Sequence, residues 1–104
     1  MRSKSITKML ASALIVAGIP QIANAVDMLR GQRVYNMHCS VCHGLNGVPV
    51  IQQAPSFAAK ERLTQPDMML IQSVKMGKTI MPPFMGILKD EEILDAIYYA
   101  RTLR

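Results

Sequence analysis

Apolar residues recur along this chain in three helix-like patterns, separated by polar and proline-containing stretches and preceded by one mainly apolar run. That run, from Met9 to Ile19, follows Arg2, Lys4 and Lys8 and leads to Ala23-Asn24-Ala25. A basic start, a short apolar stretch and an A-x-A site are the parts of a cleavable secretory leader. The run also falls well short of the roughly 20 residues that span a bilayer. The sequence therefore predicts a leader over residues 1–25 and one domain over residues 26–104, with no integral membrane span left after cleavage.

Within the domain, the first predicted helix covers about residues 27–38, with Asp27 as N-cap and Leu29, Val34, Met37 and part of Tyr35 on its apolar side. From Gly44 to Leu63 the chain reads as loop, given Asn46-Gly47, Pro49 and Ala54-Pro55, with a short helical turn near residues 57–62. A second helix is expected to start between Thr64 and Pro66, because Thr64 and Asp67 have capping-box-like spacing and Pro66 suits a first turn. It carries Met69, Leu70 and Val74 and ends at Gly77. Two successive prolines in KTIMPPFMG forbid a helix and predict an extended strip. The third helix, about residues 90–103, shows Ile93, Leu94, Ile97, Tyr98 and Ala100 in a stripe. Acids crowd its first turn, and Arg101 and Arg104 lie at its end. No strand pattern is present, so the prediction is a small all-α fold with three main helices.

Charge changes this picture little. The whole chain is +5, but three of its twelve basic residues lie in the leader while all seven acids lie beyond it, so the domain is near +2. No cluster of Lys and Arg with interleaved aromatics supports a nucleic-acid surface. Size matters more: a core this small is marginal alone, and a staple is expected. A disulfide between Cys39 and Cys42 would close a tiny loop, which restricts the unfolded chain least. A covalently attached cofactor would do more.

The cysteines stand in HCSVCHG, from His38 to Gly44. A redox dithiol of the thioredoxin kind needs a βαβ context, which is missing. A structural zinc needs four ligands, and with two cysteines and two histidines in all, His38 beside Cys39 is poorly placed to complete a tetrahedron. Cys-x-x-Cys-His is the attachment pattern of c-type haem. Thiols at Cys39 and Cys42 can each add to a vinyl group of one porphyrin edge, which brings His43 under the iron as an axial ligand. For the other axial position the candidate is Met81, which opens MPPF on the extended strip, where Pro82 and Pro83 restrict the backbone. Met85 is its main rival, and Met76 and His38 are weaker ones; a methionine is also a common core filler.

From Gly31 to Gly44, GQRVYNMHCSVCHG resembles the first helix and haem site of class I c-type cytochromes, and KTIMPPFMGILKDEEILDAIYYARTL resembles their methionine loop and last helix. In particular the chain resembles the bacterial cytochrome c5, c551 and oxidase-subunit types. The resemblance covers nearly all of residues 26–104. It implies the class I fold around one covalent haem c, Met81 at the ligand position and Tyr99 at the family's aromatic position. Gly31 and Tyr35 would pack on the last helix. It also implies that the Pro55 carbonyl accepts from His43 Nδ1, which fixes the tautomer. Lys89, where relatives carry Ser or Thr, and the scarcity of glycine after Gly47 depart from the pattern.

The implied function is that of a periplasmic one-electron carrier rather than an enzyme, shuttling between respiratory complexes. A cytochrome complex or dehydrogenase would stand upstream, and an oxidase, reductase or peroxidase downstream. Val34, Leu45, Phe57, Leu70, Val74, Ile80 and Phe84 are expected to bury the porphyrin, and Lys60, Lys75, Lys78 and Lys89 to form a basic rim. One rival reading is an open, gas-binding or peroxide-reactive haem, with no distal His or Arg near MPPF to support it. The other is a dedicated subunit or accessory protein of one oxidoreductase, such as a nitrite reductase, to which an apolar patch at Val48, Val50 and Ile51 would be suited, although these three equally suit folding back over the haem.

Overall fold

The computed structural model describes residues 25–104; the rest of the predicted leader lies outside the described residues. The helices are α1 (Met28–Val34), a π-helical turn (Tyr35–Cys39), α2 (Ser40–His43), α3 (Asp67–Met76) and α4 (Asp90–Ala100). Among the described residues there is no strand, only a backbone bridge between Lys78 and Met81, and no helix is long and apolar enough to cross a membrane.

The first three pieces follow one another directly, so the helical run passes through the whole Cys-x-x-Cys-His segment instead of ending at residue 38. Asp27 starts it by accepting from Arg30 N–H at 3.0 Å, and Gly44, at φ 86°, stops it. In the π turn Ser40 N–H reaches back to the Tyr35 carbonyl, while the Ser40 hydroxyl donates to the Asn36 carbonyl at 2.7 Å. A side chain thus serves a carbonyl that the wider turn bypasses.

Of the residues expected on the apolar side of this helical run, Val34 and Tyr35 are buried, whereas Leu29 and Met37 are 70% and 74% exposed and Gly31 is buried instead. The cause lies on α4. The carboxylate of Asp95, 2% exposed, accepts from Asp27 N–H at 2.9 Å and from Arg30 Nε, which sets the rotation of α1. At Gly31 the helices approach so closely that a Cβ would fall on the Asp95 backbone.

α3 starts at Asp67 with Pro66 at its cap position, so Thr64 is not its N-cap. Asp67 instead turns its carboxylate to the last helix, accepting from Arg101 Nη1 at 2.8 Å and Tyr98 Oη at 3.0 Å. Arg101 also donates to the Leu63 and Gln65 carbonyls, each at 3.1 Å, and so pins the end of the long loop. Leu70 and Ile71 are the buried residues of α3, and Met69 is exposed. α4 starts at Asp90, where Lys89 N–H donates to Glu92 Oε1 at 2.8 Å. Its regular part ends at Ala100, three residues early, and a tighter turn carries the chain to Leu103.

α4 serves both core clusters. One joins Val34, Tyr35, Leu63, Ala96, Ala100 and Leu103; the other joins Leu70, Ile71, Ile93 and Ile97. The Tyr35 ring lies 5.5 Å from that of Tyr99 and 6.2 Å from that of Phe57.

Candidate functional site

A cavity of about 550 Å³ lies among the helices and loops and draws its wall from every part of the domain. The end of the first helical run supplies Cys39, Cys42 and His43, the long loop Pro55 and Phe57, α3 Leu70 and Val74, and the proline strip Ile80, Met81 and Phe84. The sequence-predicted site residues are therefore brought together in one place. Two of the apolar residues expected to line it do not: Val34 belongs to the α1–α4 core, and Leu45 is 63% exposed.

His43 ends α2 and is 7% exposed. Its Nδ1 lies 3.3 Å from the Pro55 carbonyl. A carbonyl only accepts, so Nδ1 carries the proton and the Nε2 lone pair remains available. Burial lowers the pKa of this imidazole, and the Pro55 carbonyl opposes that only in part. The neutral form is favoured, which is the form that binds a metal. The Phe57 ring stacks on the imidazole at 4.2 Å and 11°.

Cys39 and Cys42 are half-buried and not joined to each other. Burial, with a smaller contribution from Cys42, pushes the Cys39 thiol up to about 12. A redox dithiol has the opposite environment, one that lowers a thiol pKa. Zinc fares no better, because no group of three or more His, Cys, Asp or Glu side chains that would hold a metal ion is found among the described residues.

Met81 is half-buried on the cavity wall, whereas Met85 and Met76 are 57% and 63% exposed and do not line it. His38 does line it, with its ring edge-on to Phe84 at 5.8 Å. The strip is held in place by its backbone. Met81 N–H donates to the Lys78 carbonyl at 2.6 Å and Lys78 N–H to the Met81 carbonyl at 3.0 Å, closing a turn over Thr79 and Ile80.

The expected basic rim is reduced. Lys60 Nζ donates to the carbonyls of Arg101 and Leu103, and Lys75 pairs with Asp90 at 3.0 Å. Only Lys78 and Lys89 of the four remain exposed without such a bond among the described residues.

Sequence reasoning missed the Tyr35 hydroxyl, which donates to the Gly44 carbonyl at 2.7 Å and so ties the start of the π turn to the residue after His43. It also missed Gln53, Arg62, Gln65, Ser73 and Thr79, which with Lys78 are polar residues on a mostly apolar wall. Nothing in the sequence marks such positions, whether on the loops or, for Ser73, on α3.

The residues present fit a covalently attached haem. Two unpaired thiols, a buried imidazole with Nδ1 already engaged, and a thioether on a separate element share one apolar cavity.

The chain is similar to known c-type cytochromes. The family described as cytochrome C oxidase, cbb3-type, subunit III matches residues 26–99. Cytochrome c6 of Thermosynechococcus vestitus is 37% identical over 94 residues, which cover 86% of this chain and 81% of that protein. Cytochrome c6 of Pyropia yezoensis is 32% identical over 92 residues, covering 84% and 81%. Among solved structures, cytochrome c6 of the diatom Phaeodactylum tricornutum has a TM-score of 0.60 at 31% identity, covering 73% of this chain and 92% of that chain. A c-type cytochrome, KustC0563, has a TM-score of 0.62 at 29% identity, covering 69% and 94%. With its class I fold and its match over nearly the whole described region, the chain belongs to the cytochrome c family, as a class I monohaem c-type cytochrome.

Proposed function

We propose that this protein is a periplasmic one-electron carrier, exported by the leader over residues 1–25. Its single haem c would be held through thioethers to Cys39 and Cys42, with His43 and Met81 as the residues that would bind its iron. One observation carries the reading: the Cys-x-x-Cys-His segment and Met81 line the same largely apolar cavity, and the Pro55 carbonyl already engages His43 Nδ1.

Bound haem supplies a one-electron ferric/ferrous couple. The chain does the rest. Pro55 holds the imidazole in one tautomer and raises the basicity of Nε2. Met81, on the cavity wall, would hold the iron together with His43 and would favour the ferrous state, raising the potential. Leu70, Val74, Ile80 and Phe84 exclude water, and a dry wall penalises the extra positive charge of the ferric state.

The proposed partners are a cytochrome complex or dehydrogenase upstream and an oxidase, reductase or peroxidase downstream. A second reading, a subunit dedicated to one oxidoreductase, is favoured by one feature: Val48 and Val50 are 63% and 69% exposed beside Ile51. Native sizing of the exported protein separates the two readings, since a free carrier runs alone and a dedicated subunit runs with its enzyme.

The functional test is the optical spectrum of the purified, air-oxidised protein. A weak far-red band from methionine sulfur on ferric haem is expected. A high-spin spectrum without that band overturns the proposal and brings ligand binding or peroxide chemistry forward.

A further inference from the structure

The strip that carries Met81 is seated on the last turn of α3. Phe84 N–H donates to the Val74 carbonyl and Met85 N–H to the Lys75 carbonyl, each at 3.1 Å. The strip thereby takes up two of the carbonyls that a helix C-terminus leaves without partners.

Between this seat and the tight Lys78–Met81 turn stands Gly77, with φ 75° and ψ 171°, a combination essentially confined to glycine. A Cβ there would come within 2.7 Å of the Met81 carbonyl oxygen, 2.8 Å of Pro83 N and 3.0 Å of the Pro82 carbonyl carbon. All three are backbone atoms of one strip, so no side-chain rotation relieves the overlap. The neighbours have little slack either. Pro82 and Pro83 have fixed φ, and Thr79 in the adjoining turn is already at φ 43°, which a β-branched residue rarely adopts.

We infer that Gly77 is the positioning residue for Met81: the missing side chain is the seat that lets the Met81–Pro83 backbone close onto α3 and sets where the thioether enters the cavity. The inference rests on the reading of Met81 as the distal ligand. α3 also contributes Leu70 and Val74 to the cavity wall, so the seat makes sulfur and wall one rigid piece.

The test compares three holoproteins. Gly86→Ala is the control, because Gly86 has φ 82° in the same loop but a Cβ there meets nothing within 4 Å. Both Gly77→Ala and Gly86→Ala are expected to lose stability through the backbone. Only Gly77→Ala should also lose the far-red band and bind added imidazole about tenfold more tightly, equivalent to about 1.4 kcal/mol of lost competition from the thioether. Met81→Ala tests the underlying reading. If it leaves the band intact, the ligand assignment fails. If it abolishes the band while Gly77→Ala matches Gly86→Ala in band and imidazole affinity, the positioning role is overturned.

A wild-type measurement covers the case in which Gly77→Ala yields no holoprotein. On warming, the band and the exchange protection of the Phe84 and Met85 amides should disappear together. Loss of the band with those amides still protected counts against the seat.

Discussion

His43 shows how far a single residue can be read before its surroundings are known. Its place after Cys42 marks it from sequence, because the attachment chemistry is local and covalent. Its neutral state and orientation depend on burial and on Pro55, twelve residues away, and only the family resemblance pointed there. The same contrast separates the methionines: sequence left Met81 and Met85 as rivals, and the fold exposes one and turns the other to the cavity. Met81→Ala is accordingly expected to lower the midpoint potential and open the iron to imidazole, while Met85→Ala does neither; potentiometry and an imidazole titration decide, and reversed results would make Met85 the ligand. Cys42→Ala should leave at most one thioether and little stable holoprotein, read as haem retained by the denatured chain. Tyr35→Phe removes the hydroxyl that holds the Gly44 carbonyl, which still accepts from Gly47 N–H at 3.0 Å. A loss of about 1 kcal/mol in denaturant stability with an unchanged far-red band is expected. That hydroxyl was invisible in sequence because its partner is set by the π turn.

At the scale of elements, the number and order of the main helices were legible, and the errors lie in faces and ends. On the first helical run Val34 and Tyr35 are buried as expected, but Leu29 and Met37 are not, because its rotation is decided by a buried carboxylate and a glycine. Gly31→Ala forces a Cβ against the Asp95 backbone at that crossing and is expected to cost about 1–3 kcal/mol, the range of an overpacked core; chemical denaturation of the holoprotein measures it. The start of α3 misled because Asp67 faces Arg101 and Tyr98, not a capping partner. The bond from Arg101, ahead of that from Tyr98, holds the Asp67 carboxyl below its usual value. A carboxylate depressed in the folded state stabilises above its unfolded pKa of about 3.9 and loses that contribution as pH falls through its lower folded value. Asp67→Asn should therefore be less stable than the native chain at neutral pH by only about 0.2–1 kcal/mol, since the pair is partly exposed. The two midpoints should converge in acid, and a gap that persists below the folded pKa would show that the ion pair is not its source.

For the whole molecule, the question is what holds the two core clusters in one fold when the cavity of about 550 Å³ lies beside both. The sequence raised the need for a staple from size alone, and the structure shows where the need arises. Leu70, Ile93, Ile97 and Ala100 belong to the clusters and also face the cavity, so their packing is completed only when it is filled. Apolar walls left without a partner lose that packing, and the whole stability of a typical domain is only about 5–15 kcal/mol. A chain lacking the prosthetic group is expected to collapse into the cavity or unfold. The double variant Cys39→Ala, Cys42→Ala, isolated without haem, is therefore expected to lose near-ultraviolet circular dichroism, to bind a hydrophobic dye and to unfold over a broad range. α1 and α4 would still retain some helix, because their Asp95 latch does not touch the cavity. A sharp two-state transition with native near-ultraviolet signal would mean that the helices alone define the fold, and that the covalent group serves electron transfer without serving stability.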